Sequence, residues 1–292
     1  MHEPSRLPWV ARLVGAVGER IIYALIRLFG CVVRLQDAPW LAGPIGSDYI
    51  GDRPYAELAQ REGLEVIRDS REGGLLSSLE VLRGPDFDPA CVDDRVRDFY
   101  ENTARYELDA RARSFLPLNV GVWLLVTTIS RRVNQLTFPV DALESAAAMK
   151  SEIVLLRDGG GRTRYTGWSR RHTDGERVIY TGFYMTDRIP GCRSPVVKAV
   201  FPMPGGNATV FLRPAVNGQG QLELLSQGTR FGDPGFYRLD KLDEDTVRVW
   251  RVRTLVEYLR VFVDPDGELR CEHEVRFWGL PVLTLHYHLR RC

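Results

Sequence analysis

From residue 151 onward the chain alternates apolar and polar positions in short runs: SEIVLLRD, RTRYTGWSRR, ERVIYTGFYMTD, PVVKAVFPM, ATVFLRPAV, QLELLSQG, DTVRVWRV, TLVEYLRVFVD, ELRCEHEVRFW and PVLTLHYHLRR. Between most of them sit DGGG, HTDG, PGG, NGQG, GDPG and DPDG. Alternation at period two, bounded by Gly-rich turns and free of helical segments, predicts a large antiparallel sheet. With about ten strands, closing into a barrel or coiling strongly is the usual way to avoid open edges.

Before residue 151 the period is that of helices. PYAELAQREGL (54–64) starts at a Pro and ends at a Gly. FDPACVDDRVRDFYENT (87–103) has acids near its start and Val92, Val96, Phe99 and Tyr100 at helical spacing. LNVGVWLLVTTISRRVNQL (118–136) is apolar first and basic at its end, where Arg131 and Arg132 suit a helix C-terminus. The stretch 37–54, rich in Pro and Gly, is a connector. The pattern therefore divides the chain into an amphipathic N-terminal helix (1–36), a mainly helical segment with its connector (37–150) and an antiparallel β-barrel (151–292), together one cooperative unit. The expected fold class is α+β, a helical N-terminal half packed on or plugging the barrel.

The N-terminal stretch 7–36 is almost apolar enough to cross a membrane. Arg12, Glu19, Arg20, Arg27 and Arg34 break it into runs shorter than the roughly 20 apolar residues a span requires. It also lacks the small-residue cleavage pattern of a secretory signal. On a helix these five charges form one stripe and leave a broad apolar face. That pattern suits a helix lying in the membrane interface. It equally suits a helix laid across its own domain, the commoner arrangement.

Charge and cysteine content narrow the classes. With 39 basic and 38 acidic residues the net charge is +1, which argues against a nucleic-acid partner. Three of the basic residues are lysines (Lys150, Lys198, Lys241), a bias spread over the chain and better read as genome composition than as an anion site. Five scattered cysteines without a C-x-x-C fit reduced thiols in the cytoplasm. No dinucleotide, Walker, nucleophile-elbow or H-E-x-x-H motif occurs, so no cofactor is expected. RDGGGRT (157–163) joins two strands and reads as a hairpin loop; GTRFGDPGFY (228–237) reads as a wide turn or a lid over the barrel mouth.

The candidate chemistry lies in CEHEVRFWGLPVLTLHYHLRRC (271–292). Residues alternate faces along a strand. The odd positions are mostly apolar and face inward: Cys271, His273, Val275 and Phe277, then Leu283, Leu285, Tyr287 and Leu289. Pairing through a turn at Gly279–Pro281 sets Glu274 opposite His286, Glu272 opposite His288 and His273 opposite Tyr287. Glu272, Glu274, His286 and His288 then lie outside. Two His with facing carboxylates can bind zinc or nickel, and the H-x-H is similar to the cupin metal motif, without the Glu and Gly that should follow it. A solvated charge ladder explains the same four residues with less, so no metal is expected.

Inside, Asp264-Pro265-Asp266-Gly267-Glu268 forms a three-residue hairpin loop, which pairs Leu259 with His273 and Glu257 with Val275. Glu257, the one charge on an apolar face, then sits diagonal to His273. A carboxylate orienting an imidazole beside a phenol is general acid–base equipment, against the alternative of a structural polar cluster. In shape only, the barrel resembles lipocalins. The expectation is a barrel holding a hydrophobic small molecule, on which His273 (acid/base), Glu257 (orienting) and Tyr287 (steadying an oxyanion) carry out a cofactor-independent cyclisation or isomerisation in bacterial specialised metabolism. The alternative is a peripheral protein on the cytoplasmic membrane face that binds or carries lipid, docked by helix 7–36.

Overall fold

The computed structural model of the 292-residue chain describes residues 24–47, 53–68, 71–114, 149–172 and 178–292. Among the described residues fourteen strands form one antiparallel sheet. β1 (Cys31–Arg34), β2 (Glu65–Ile67) and β3 (Tyr106–Ser114) come from the first part of the chain. They are followed by β4 (Met149–Arg157), β5 (Thr163–His172), β6 (Val178–Asp187), β7 (Val196–Met203) and β8 (Gly206–Val216). The last six are β9 (Leu222–Leu225), β10 (Gly235–Lys241), β11 (Thr246–Val252), β12 (Leu255–Val263), β13 (Leu269–Phe277) and β14 (Leu280–Arg291). The main path runs β2-β4-β5-β6-β7-β8-β9-β12-β13-β14-β3. The sheet forks on β8: residues 206–211 pair with β10, which leads to β11 and β1, and Arg213–Val216 pair with β9.

The sheet is coiled but not closed. Its path ends at β2 and β3, and among the described residues no ladder joins them. The expected barrel is therefore corrected to an open sheet. So is the helical first half: among the described residues it contributes three strands, a few 3-10 turns and short helices. The helix α1, described over 24–29, stops at Gly30, whose N–H donates to Ile26 O (2.8 Å) and where a Cβ would lie 2.3 Å from that oxygen. Beyond it the β-branched pair Val32–Val33 favours a strand, and Cys31–Arg34 pairs with Val249–Thr246 of β11. The helix expected over 7–36 thus ends at 29; its part before residue 24 lies outside the described residues, as does the helix expected over 118–136.

Two further helices form close to the expected places. α2 (Arg53–Glu62) carries Pro54 in its first turn, where a missing N–H costs nothing. Its Tyr55, Leu58 and Ala59 bury against Val154, Leu156, Phe183 and Val200 on the outer side of the sheet. Gly167 lets the Tyr55 ring sit flat on β5, since a Cβ there would come within 2.3 Å of the ring, and Tyr55 Oη donates to Gly182 O. α3 (Asp94–Glu101) is capped by the Asp93 carboxylate, which accepts from Arg95 N–H, and Asp94 complements the helix dipole.

α3 buries Val96, Phe99 and Tyr100 in the largest core cluster. Ile153, Leu155, Tyr184, Val197, Val210, Leu224, Val261, Cys271, Leu285 and Tyr287 join the same cluster. One face of strands from β4 to β14 therefore meets around α3, and only a strongly curled sheet brings them together. A second cluster, built on Trp40, Phe211, Tyr237 and Val249, covers the branch. There Lys198 Nζ is buried and donates to Trp40 O, Ala42 O and Asp187 Oδ2 at 2.6–2.8 Å. Burial lowers its pKa, against the pull of Asp187.

Candidate functional site

The Asp264–Glu268 loop forms as its turn chemistry dictates. Gly267 takes φ +79°, Asp264 N–H donates to Glu268 O, and the Asp264 carboxylate accepts from Asp266 and Glu268 N–H. The register follows: Leu259 faces His273 and Glu257 faces Val275. The diagonal pair meets, with His273 Nε2 and Glu257 Oε2 3.2 Å apart and both side chains largely shielded from water. Glu257 N–H donates to the buried Ser226 Oγ (2.7 Å), and Ser226 N–H returns a bond to Glu257 O, which fixes β12 against the end of β9.

The last hairpin differs from the expected register. Its turn is Trp278–Gly279, with φ 51° and 78°, the two positive values of a type I′ turn. A bulge between Val275 and Arg276 then shifts the ladder, so that Cys271 faces Tyr287, His273 faces Leu285 and Glu272 faces His286. The pairing slips by two residues, so parity survives and Tyr287 still faces the core, 7% exposed. It does not sit opposite His273.

Tyr287 belongs instead to a buried cluster absent from the sequence expectations. Arg170 of β5 is 5% exposed; its guanidinium lies 4.7 Å from the Trp168 ring centroid and 4.8 Å from that of Tyr287. Its Nη1 donates to Tyr287 Oη (3.1 Å). A contact from β5 to β14, strands far apart along the path, again requires the curl of the sheet. Burial raises the Tyr287 pKa, and Arg170 opposes the rise. Burial pushes the Cys271 thiol up to about 12, so it is protonated at neutral pH and is no thiolate nucleophile. Tyr100 of α3 is raised well above the usual phenol value, first by burial and then by Tyr184 and Cys271.

The signal for Arg170 was present in RTRYTGWSRR, where Thr166, Trp168 and Arg170 share one face. An arginine next to a tryptophan on a core-facing parity needs a partner across the interior.

The outer quartet separates into ion pairs. Glu272 meets Arg260 (2.6 Å) and His286 (3.7 Å), Glu274 pairs with Arg276, and His288 Nε2 lies 2.9 Å from Glu268 Oε2. Among the described residues no group of three or more His, Cys, Asp or Glu is placed to hold a metal. The segment 228–237 is neither lid nor wholly turn: the Asp233 carboxylate accepts from Thr229 and Arg230 N–H, and β10 begins at Gly235.

Fold and site together define an open, coiled antiparallel sheet enclosing a buried arginine–aromatic cluster, with a carboxylate–imidazole pair on the same face. No family model matches the chain. It is similar to a protein of Bacillus subtilis (strain 168) described as the uncharacterized membrane protein YndJ, 26% identical over an alignment of 295 residues that covers 98% of this chain and 50% of the relative. The chain therefore spans about half the length of that relative. No solved structure matches it. Among the described residues no helix is long and apolar enough to cross a membrane.

These findings correct the expected cyclase or isomerase of specialised metabolism. The barrel that was to enclose its substrate is open, the phenol that was to face His273 is held by Arg170, and the similar protein is described by its membrane character.

Proposed function

We propose that the chain works on a membrane surface, attached through its N-terminal end, where it binds or carries lipid. The observation that carries this reading is the exposure of Leu28, Phe29 and Val32 at 74%, 61% and 56%, where the apolar N-terminal stretch joins the sheet. Ile26, 1% exposed, seats α1 on the domain, while Arg27 is exposed beside the apolar side chains and Arg34, also exposed, pairs with Asp37. Large apolar groups flanked by arginines favour the boundary between lipid headgroups and acyl chains, and anionic lipids strengthen the attraction. The membrane character of the similar protein supports the reading. The five cysteines, all free, fit the cytoplasmic face.

Flotation of the full chain with anionic vesicles tests it. The protein is expected to float, less so at high salt, and L28S/F29S is expected to weaken binding by about tenfold or more, given about 1.5 kcal/mol or more per large apolar side chain. A full chain that stays in the aqueous layer at low salt would sink the proposal.

A second reading, a hydrophobic small molecule held on the inner face, is favoured by one observation. Arg170, Tyr287, His273 and Glu257 are polar groups converging on an otherwise apolar surface. Such a set suits an amphiphile with an anionic head, held by the guanidinium and the phenol. Native mass spectrometry of the purified chain is expected to show a retained ligand that R170M loses; a chain that carries no ligand from a lipid-containing lysate argues against it.

A further inference from the structure

The last hairpin contains a costly choice. Trp278 is the one non-glycine residue with a positive φ among the described residues, at 51°, and it is 71% exposed. A bulky side chain is strained in this left-handed region, whereas Asn before Gly suits a type I′ turn without strain. Exposure of the indole also leaves its apolar area in water, apart from the Phe277 ring 4.5 Å away. Strain and exposure coincide on one side chain that the fold does not use. Leu280, 51% exposed, stands next to it, with Pro281 also exposed.

The position of this tip gives it meaning. Trp278 N–H donates to Thr254 O, so the tip lies against the β11–β12 turn. Four residues back along β11, Trp250 stacks on Phe29 at 6.3 Å between centroids. Four residues of strand span about 13 Å at most. Leu28 and Phe29 on one element, and Trp278 and Leu280 on another, therefore project from the same end of the sheet, with Arg27, Arg253 and Arg276 exposed around them. Aromatic and aliphatic tips with an arginine rim match the chemistry of an anionic bilayer interface, where indole rings concentrate at headgroup level.

We infer that the Trp278–Leu280 hairpin tip is a second membrane-contact element, which with Leu28 and Phe29 docks this end of the sheet on an anionic lipid surface in a fixed orientation. The inference rests on the membrane attachment proposed above. Contacts on two separate elements restrict the angle of approach that a single N-terminal anchor leaves free, and their binding reinforces each other through high effective concentration.

The test uses the full chain with W278N, L280S and W278N/L280S, measured by partitioning to vesicles containing anionic lipid and by quenching from brominated acyl chains. W278N is expected to resist urea as well as the wild type or better, because it relieves the turn. It should bind vesicles about tenfold more weakly, and W278N/L280S more weakly still. Bromolipid quenching of the wild type should fall in W278N. Wild-type binding that these variants leave unchanged, while L28S/F29S abolishes it, would overturn the second contact and keep the N-terminal one. A wild type that does not bind would overturn both. A concentration-dependent dimer lost in W278N, with vesicle binding intact, would assign the tip to a second copy of the chain and overturn the inference.

Discussion

The Arg170–Tyr287 contact is the best place to test the meeting of β5 and β14 across the interior. Tyr287→Phe removes the Oη acceptor and keeps the ring 4.8 Å from the guanidinium, so it isolates the hydrogen bond. A bond from a charged donor contributes about 1.5–3 kcal/mol when buried. Arg170→Met removes the bond and both ring contacts, at about 0.5–2 kcal/mol per desolvated cation–π pair, and leaves the phenol without its donor. The single variants should therefore lose about 2 kcal/mol (Y287F) and about 3–5 kcal/mol (R170M). R170M/Y287F should lose less than the sum by about 1.5 kcal/mol, the part the two share. Urea unfolding followed by near-ultraviolet circular dichroism measures all four proteins. A coupling below about 0.3 kcal/mol would show that β5 and β14 do not touch through this pair, and the curl of the sheet would have to be redrawn.

Two other predictions concern the same interior. The Cys271 thiol, raised to about 12 in the folded chain from an ordinary value near 9, keeps its proton when the unfolded chain has lost it. The stability it contributes is therefore present below pH 9 and falls as pH rises toward 12, by about 1.4 kcal/mol per unit; Cys271→Val should flatten that part of the curve, leaving a residual slope of the same sign from Tyr100 and Tyr287, and an unchanged slope would contradict the burial. Gly167→Ala drives a methyl into the Tyr55 ring and should destabilise by about 1–3 kcal/mol, an effect that Tyr55→Leu should largely relieve, whereas additive losses would mean that α2 does not pack there.

What the sequence revealed followed local rules. Pro265, Asp266 and Gly267 dictated their loop, and that loop carried the register bringing Glu257 to His273. The next hairpin could not be read in the same way: a tryptophan does not announce a type I′ turn, and Pro281, opposite Arg276 at the bulge, reads equally as part of the turn. Parity tolerated the error because the slip was even. β10 was hidden because Gly235 and its neighbours read as turn, although Tyr237 and Leu239 alternate inward against Phe236 and Arg238. β3, with Ala110, Ala112 and four charges, has no apolar face strong enough to declare a strand. Closure is the least legible property, since local alternation counts strands but does not say whether the first and last ones pair. The contact of Arg170 with Tyr287 depends on residues 117 positions apart. The inner pair Glu257–His273 was accessible to strand geometry; the arginine that holds Tyr287 required knowing which strand lies opposite.

Amide hydrogen exchange of the full chain, with and without vesicles rich in anionic lipid, tests the membrane account most directly. Slowed exchange should concentrate at residues 24–32 and 277–281, on one end of the sheet, while the outer Glu272–His286 ladder exchanges as it does in solution. Protection spread over that ladder, or none at all with vesicles present, would contradict it.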